Sequence, residues 1–258
     1  MAMLSIELIL SRAKGSERHI GIGVAGDLDK VEASVAIAKA SKFGDIELFT
    51  DVEEMVRELR NGKLDAAIRG SLDANLALKA IKQQFGVDHI SRMAILQPRN
   101  GHMFFFAPVG IDEGRTVSQK VEMVTAGAAL MRRLGVEPKV GILSGGRRGD
   151  EGRDASVDRS MHDAEDVVDQ LLPLGIDSKH YQILIEEAAK DCNMIIAPDG
   201  VSGNLIFRTL HFLGDGKALG AVVLNIDPVF VDTSRAKSSY VDSIAMASAL
   251  VWSEKQVH

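Results

Sequence analysis

The sequence predicts an α/β protein built as two α/β/α domains with mainly parallel sheets and an interdomain cleft. Three observations predict it. Short β-rich runs alternate with amphipathic helical stretches from residue 20 to residue 96, the pattern of βαβ units. The alternation breaks at the turn cluster Gln97-Pro98-Arg99-Asn100-Gly101, and a second α/β series follows. The 258 residues suffice for one large domain or two small ones.

Taken in order, Ser5 to Ala13 reads as a short opening helix and Ile20 to Ala25 as a buried strand. Asp27 is placed to cap a helix running to about Ser41, with Val31, Val35, Ile37 and Ala38 as its apolar stripe. Ile46 to Phe49 is a strand. Thr50 with Glu53, or Asp51 with Glu54, opens a helix to Arg60, which Asn61-Gly62 ends. Asp65 to Gly70 is a strand, Leu72 to Phe85 a helix and His89 to Leu96 a strand.

Beyond the turn cluster, the Phe-rich run Gly101 to Gly110 is a strand entering a second domain. Thr116 and Gln119 form a capping box for a long helix to Arg133. Strands follow at Lys139 to Leu143, Asn193 to Pro198 and Ala218 to Leu224. Helices are expected near Val157 to Leu172, Ser178 to Asp191, Gly203 to Leu213 and Ser239 to Trp252. The domain boundaries fall near 98 and 228, so residues 1–97 with 228–258 make one domain and 98–227 the other.

Composition bounds the function. Hydrophobic residues are 46% and charged residues 26%, an ordinary globular mix that excludes a disordered chain or a collagen-like repeat. One cysteine, Cys192, forms no internal disulfide and suits a reducing, cytoplasmic setting. The net charge of −6 comes with no basic stripe, which argues against nucleic acid. The opening apolar stretch, Leu4 to Leu10, is broken by Glu7 and too short for a membrane span. The seven histidines show no metal-ligand spacing.

Four segments are candidate sites. Gly21-Ile22-Gly23-Val24-Ala25-Gly26 matches the dinucleotide fingerprint, but its glycines fall inside the strand rather than after it, so it reads as structural. Ser144-Gly145-Gly146-Arg147 follows a strand; its N–H groups and guanidinium suit a phosphate or phosphorylated ligand, or a solvated loop. In Pro198-Asp199-Gly200-Val201-Ser202-Gly203-Asn204 a strand gives way to a helix N-terminus. Asp199, Gly203 and Asn204 join the anion-binding candidates there, with Asp199 or Ser202 as a plain helix cap the alternative. Ser234, Arg235 and Asp242 could polarise a carbonyl, hold an anion and accept a proton. Arg235 nearby would keep Asp242 ionised. Cys192 reads as a buried thiol rather than a nucleophile.

At these segments the sequence resembles the phosphate acetyl/butyryl transferases. Pro198-Asp199-Gly200-Val201-Ser202-Gly203-Asn204 is similar to the family's Pro-Asp-Leu-Asn-Ala-Gly-Asn. Val231-Asp232-Thr233-Ser234-Arg235 is similar to its Asn-Asp-Leu-Ser-Arg. Val24 to Val31, Asp65 to Ser71, Phe104 to Phe106 and Val140 to Ser144 follow the family's order, so the likeness covers nearly the whole chain. Within that superfamily the chain most resembles the MtxX-like methanogenesis marker proteins, labelled methyltransferase subunits of archaea.

The resemblance implies a phosphate acetyltransferase-like fold and a transferase of the cytoplasm acting on a phosphorylated or acyl-coenzyme A-type substrate. Asp242 would accept the coenzyme A thiol proton, and Ser234 and Arg235 would stabilise the acyl carbonyl and phosphate. No tightly bound cofactor or metal is implied; coenzyme A and phosphate would be substrates. A diverged subunit or binding protein of methanogen C1 metabolism is the alternative, with methyltransferase proteins as partners. A homodimer is compatible with either.

Overall fold

A computed structural model describes residues 3–15 and 17–251. The chain divides into two compact units. A split unit holds residues 6–90 and 219–251, and a central unit holds Ser91–Ala218 with residues 3–5. In chain order the split unit supplies α1 (Ile6–Ala13), β1 (His19–Gly23), α2 (Leu28–Ala40), β2 (Asp45–Phe49), α3 (Val52–Arg60), β3 (Ala66–Ile68) and α4 (Ala74–Phe85). The central unit supplies β4 (Arg92–Gln97), β5 (Phe104–Ala107), α5 (Val117–Arg133), β6 (Lys139–Leu143), α6 (Ala155–Leu171), β7 (Asp177–Gln182), α7 (Ile185–Asp191), β8 (Met194–Ile196) and α8 (Gly200–Arg208). The chain returns through β9 (Lys217–Val223), β10 (Val229–Asp232) and α9 (Val241–Leu250).

The caps explain where the helices begin. Asp51 accepts from Glu53 N and Asp73 from Asn75 N and Leu76 N, so α3 and α4 start one residue after each. Asp27 precedes α2 but makes no capping bond; its carboxylate holds Lys30 instead, at 2.7 Å. Thr116 caps α5 through Gln119 N, and Gln119 Oε1 reaches back to Arg115 N rather than to Thr116.

In the split unit the strand order is β2-β1-β3-β10-β9. The first four strands are parallel and β9 runs antiparallel to β10. Ala67 and Phe230 on one face bury against Met55, Val56, Leu59 and Ile81 of α3 and α4. α9 is apolar nearly all round, as a helix enclosed on every side must be, and packs against α1, α2, β1, β3 and β10. Gly21 and Gly23 lie inside β1. A Cβ on Gly21 would meet Leu64 at 2.7 Å, and one on Gly23 would meet Leu72 at 2.1 Å. Close packing therefore accounts for both glycines, though the close neighbours are Phe49, Leu64 and Leu72 rather than helical side chains.

In the central unit the order is β4-β5-β8-β6-β7, parallel except for β4 against β5. The antiparallel register Ala94↔Phe106 makes residues 98–103 a hairpin connection. β4 therefore belongs with the Phe-rich strand, and the units divide at 90/91 and 218/219, where the sequence had suggested 97/98 and 227/228.

Two expected helices change. The one expected over Ser178 to Asp191 is β7 followed by the shorter α7: residues 177–182 pair parallel with β6 at the sheet edge, where a polar strand is tolerated. The one expected from Gly203 begins at Gly200 and passes into a π-helical turn over Thr209–Leu213. Trp252, the expected end of the last helix, lies outside the described residues.

Candidate functional site

Parallel strands deliver their following loops to one edge, where open α/β sheets bind ligands. In the split unit the register Ile22↔Ile68 and Val231↔Ile68 brings together the segments after β1, β3 and β10. They are laced to one another. Ser71 N donates to Gly23 O at 3.1 Å, Ala25 N to Ser71 Oγ at 2.8 Å, and Thr233 Oγ1 to Gly70 O at 3.0 Å.

Four cations stand at this edge. Arg69, only 5% exposed, gives Nε to Asp232 Oδ1 at 2.5 Å and Nη1 to Leu72 O at 2.6 Å. Arg235 Nη2 meets Asp73 Oδ2 at 3.1 Å in an exposed pair. The amides of Leu76 and Asn75, with Arg235 behind them, hold the Asp73 carboxyl below its ordinary value. Lys30 pairs with Asp27, whose hydrogen bond holds its ammonium high, and donates to Arg235 O at 3.2 Å. Lys237 donates to Leu219 O at 3.1 Å, and burial pushes its ammonium down to about 8 against the attraction of Asp242.

The candidates are therefore distributed as follows. Ser234 and Arg235 lie in the loop after β10, and the Ser234 hydroxyl accepts from Ala236 N at 3.2 Å. Asp242 lies in the first turn of α9. Arg235 bonds to Asp73 rather than to Asp242; the cation facing Asp242 is Lys237. Sequence reasoning missed Lys30, Arg69, Lys237 and Tyr240. Tyr240 is fully buried at the start of α9, with its backbone N–H on Ser34 Oγ and Lys30 Nζ 5.4 Å from its ring centroid. No spacing rule marks such residues, because they converge from α2, the turn after β3 and the loop after β10.

The carboxyl edge of the central unit gathers the segments after β5, β6 and β8, by the registers Ala107↔Ile196 and Ile142↔Ile196. Here the donors are turned inward. The Ser144 hydroxyl is 2.8 Å from His180 Nε2 and 3.2 Å from Gly146 O. Gly145 N donates to Ser160 Oγ and Arg147 N to Asp150. Burial pushes the His180 imidazole down, partly offset by Glu165. The Arg147 residue is exposed.

Asp199 caps α8 through Ser202 N at 2.8 Å, the capping role that was the alternative for this segment. Asn204 spends its side-chain amide on Val109 O, and Gly203 lies so close to Pro108 O that a Cβ would stand 2.0 Å away. Lys120, buried on α5, lies 3.6 Å from Asp163 and within the field of Asp199. Cys192 is buried, which raises its thiol and leaves little thiolate to act as a nucleophile. Among the described residues no cluster could hold a metal ion, and no helix is long and apolar enough to cross a membrane.

This strand order and edge define the phosphotransacetylase fold. The EutD phosphotransacetylase from Staphylococcus aureus matches with a TM-score of 0.73 at 14% identity, over 96% of this chain and 98% of that one. The chain itself belongs to the mtx subunit X family, whose members carry the name of a methyltransferase. It is 49% identical to mtx subunit X of Methanosarcina mazei, over 92% of this chain and 81% of that protein. It is 47% identical to the Methanosarcina barkeri protein, over 92% and 84%. A phosphate butyryltransferase of Clostridium acetobutylicum is a distant relative, 24% identical over 96% of this chain and 91% of that one. No protein-family model matches the chain.

Proposed function

We propose that the protein is an acyltransferase that passes an acyl group between phosphate and a coenzyme A-type thiol. The observation that carries this reading is the edge of the split unit, where Ser234, Arg235 and Asp242 are held on one loop and the helix it enters. Asp242 takes the thiol proton, with Lys237 as its neighbouring cation. The sulfur attacks the carbonyl carbon of the acyl phosphate. The C–S bond forms, the bond between the carbonyl carbon and the bridging phosphate oxygen breaks, and phosphate leaves with that oxygen and the electron pair. Ser234 and Arg235 meet the carbonyl and phosphoryl oxygens, and Arg235 exchanges Asp73 for the substrate.

For the central unit we propose a separate anion-binding role for Ser144, Gly145, Gly146, Arg147, Asp199, Gly203 and Asn204. Their donors would have to exchange the internal bonds described above for ligand. Asp242→Asn tests the chemistry: turnover should fall by roughly 10²–10⁴ with the KM for acyl phosphate little changed. Full turnover would remove Asp242 as the base.

A second reading follows from the relatives' names: a subunit that joins methyltransferase proteins without catalysing acyl transfer. Titration of the purified chain with such a methyltransferase by analytical ultracentrifugation tests it.

A further inference from the structure

One carboxylate oxygen of the central unit faces two cationic groups. Glu165 Oε1 stands 3.7 Å from Arg148 Nη2 and 3.8 Å from His180 Nδ1. The two partners differ in setting: the Arg148 side chain is 81% exposed and the His180 side chain 11%. All three border a cavity of about 220 Å³ between the loop after β6, α6 and β7. The other titratable groups on its wall are Glu151, Asp158 and His162. Asp158 is fixed, because both of its oxygens accept from Gly152 N.

The cavity adjoins the glycine-rich loop. His180 Nε2 lies 2.8 Å from Ser144 Oγ, at the root of the loop that carries Gly145, Arg147 and Arg148. Arg148 N donates to Gln182 Oε1 at 3.0 Å, which holds the backbone and leaves the long side chain to swing. Burial pushes the His180 imidazole down, Glu165 pulls it back up, and Arg148 lowers it again. Arg148 and the His180 proton therefore compete for one carboxylate. Once His180 is charged, its pairing with Glu165 is the less exposed of the two, so water and salt screen it less.

We propose that Glu165 passes between Arg148 and His180, so that protonation of His180 claims the carboxylate and releases the Arg148 guanidinium to an oxyanion on the loop after β6. The inference rests on the anion-binding role proposed above for the central unit, and it adds Arg148 to that role. With the imidazole neutral, Arg148 stays turned toward Glu165. Coupling is reciprocal, so an anion that draws Arg148 away from Glu165 raises the proton affinity of His180. Anion binding thus takes up a proton, and affinity rises as the pH falls through the imidazole's range.

Sulfate is the probe, because its charge is the same at about pH 5.5 and about pH 8, where imidazoles change theirs. Calorimetry on the full chain should find it held about 10-fold tighter at the lower pH. Glu165 is exposed, so Glu165→Gln spares the fold; it should raise the affinity at the higher pH to the wild-type value at the lower. His180→Gln keeps an N–H for Ser144 but takes up no proton, and should bind at the weaker value at both. His162→Gln should behave as the wild type. A pH dependence that survives in His180→Gln overturns the proposal, and so does an unchanged affinity at the higher pH in Glu165→Gln. Equal wild-type affinity at both pH values also overturns it and leaves the anion-binding role standing. A wild type that binds no sulfate at either pH removes the anion-binding role itself, and the switch with it.

Discussion

Arg69 and Asp232 join the ends of β3 and β10 through an Nε–Oδ1 contact of 2.5 Å, with side chains only 7% and 12% exposed. The pair fixes the loop that carries Ser234 and Arg235. Removing one member strands a charge out of water. Arg69→Met should therefore cost about 3–5 kcal/mol in urea unfolding. Arg69→Met combined with Asp232→Asn should recover much of that loss. A single variant as stable as the wild type would show that the pair does not hold the loop.

Gly70 and Gly26 both have positive φ, +59° and +88°, but they are not equivalent. A Cβ on Gly70 would stand 2.0 Å from Gly23 O, whereas one on Gly26 meets nothing within 4 Å. Gly26→Ala carries only the left-handed backbone cost of about 1–2 kcal/mol. Gly70→Ala adds a backbone collision and should cost at least about 3 kcal/mol. Equal losses in the two variants would contradict the close approach of β1 and the turn after β3.

Lys237 gives the protein a pH signature. The folded state binds its proton less tightly than the unfolded chain, with values of about 8 against 10.5. The penalty is thus full below pH 8 and is relieved as the pH rises toward 10.5. Relative to Lys237→Met, the wild type should gain roughly 3 kcal/mol of stability across that window. Parallel curves for the two proteins would mean that the ammonium is not desolvated.

The split unit was legible because its βαβ elements carry apolar runs and capping carboxylates: Asp51 and Asp73 start α3 and α4 as side-chain acceptors, whatever packs above them. The placement of Gly21 and Gly23 inside a strand was legible from counting residues. β7 was not, because an edge strand reading Asp-Ser-Lys-His-Tyr-Gln has little apolar signal, and only its parallel pairing with β6 makes it a strand. The partition of β4 was hidden for the same reason: antiparallel pairing with Phe104 to Phe106 is a long-range fact. Ser234, Arg235 and Asp242 were visible as residue types. Their actual charge partners, Asp73 and Lys237, were not, since pairing depends on how three loops meet.

Arg147 is exposed in the loop after β6, so its truncation should spare the fold. Arg147→Ala should weaken phosphate binding by about 10–100-fold in calorimetry, the loss of one charge-assisted hydrogen bond. Unchanged affinity would exclude the guanidinium from the phosphate site.

The central claim is that the split-unit edge performs acyl transfer, and formation of acetyl phosphate from acetyl coenzyme A and inorganic phosphate measures it most directly. The purified wild type should release free thiol and form hydroxylamine-trappable acetyl phosphate in equal amounts, and Ser234→Ala and Asp242→Asn should each lower the rate by at least about 100-fold. Thiol release without acyl phosphate, no turnover by the folded wild type, or wild-type rates in both variants would contradict it.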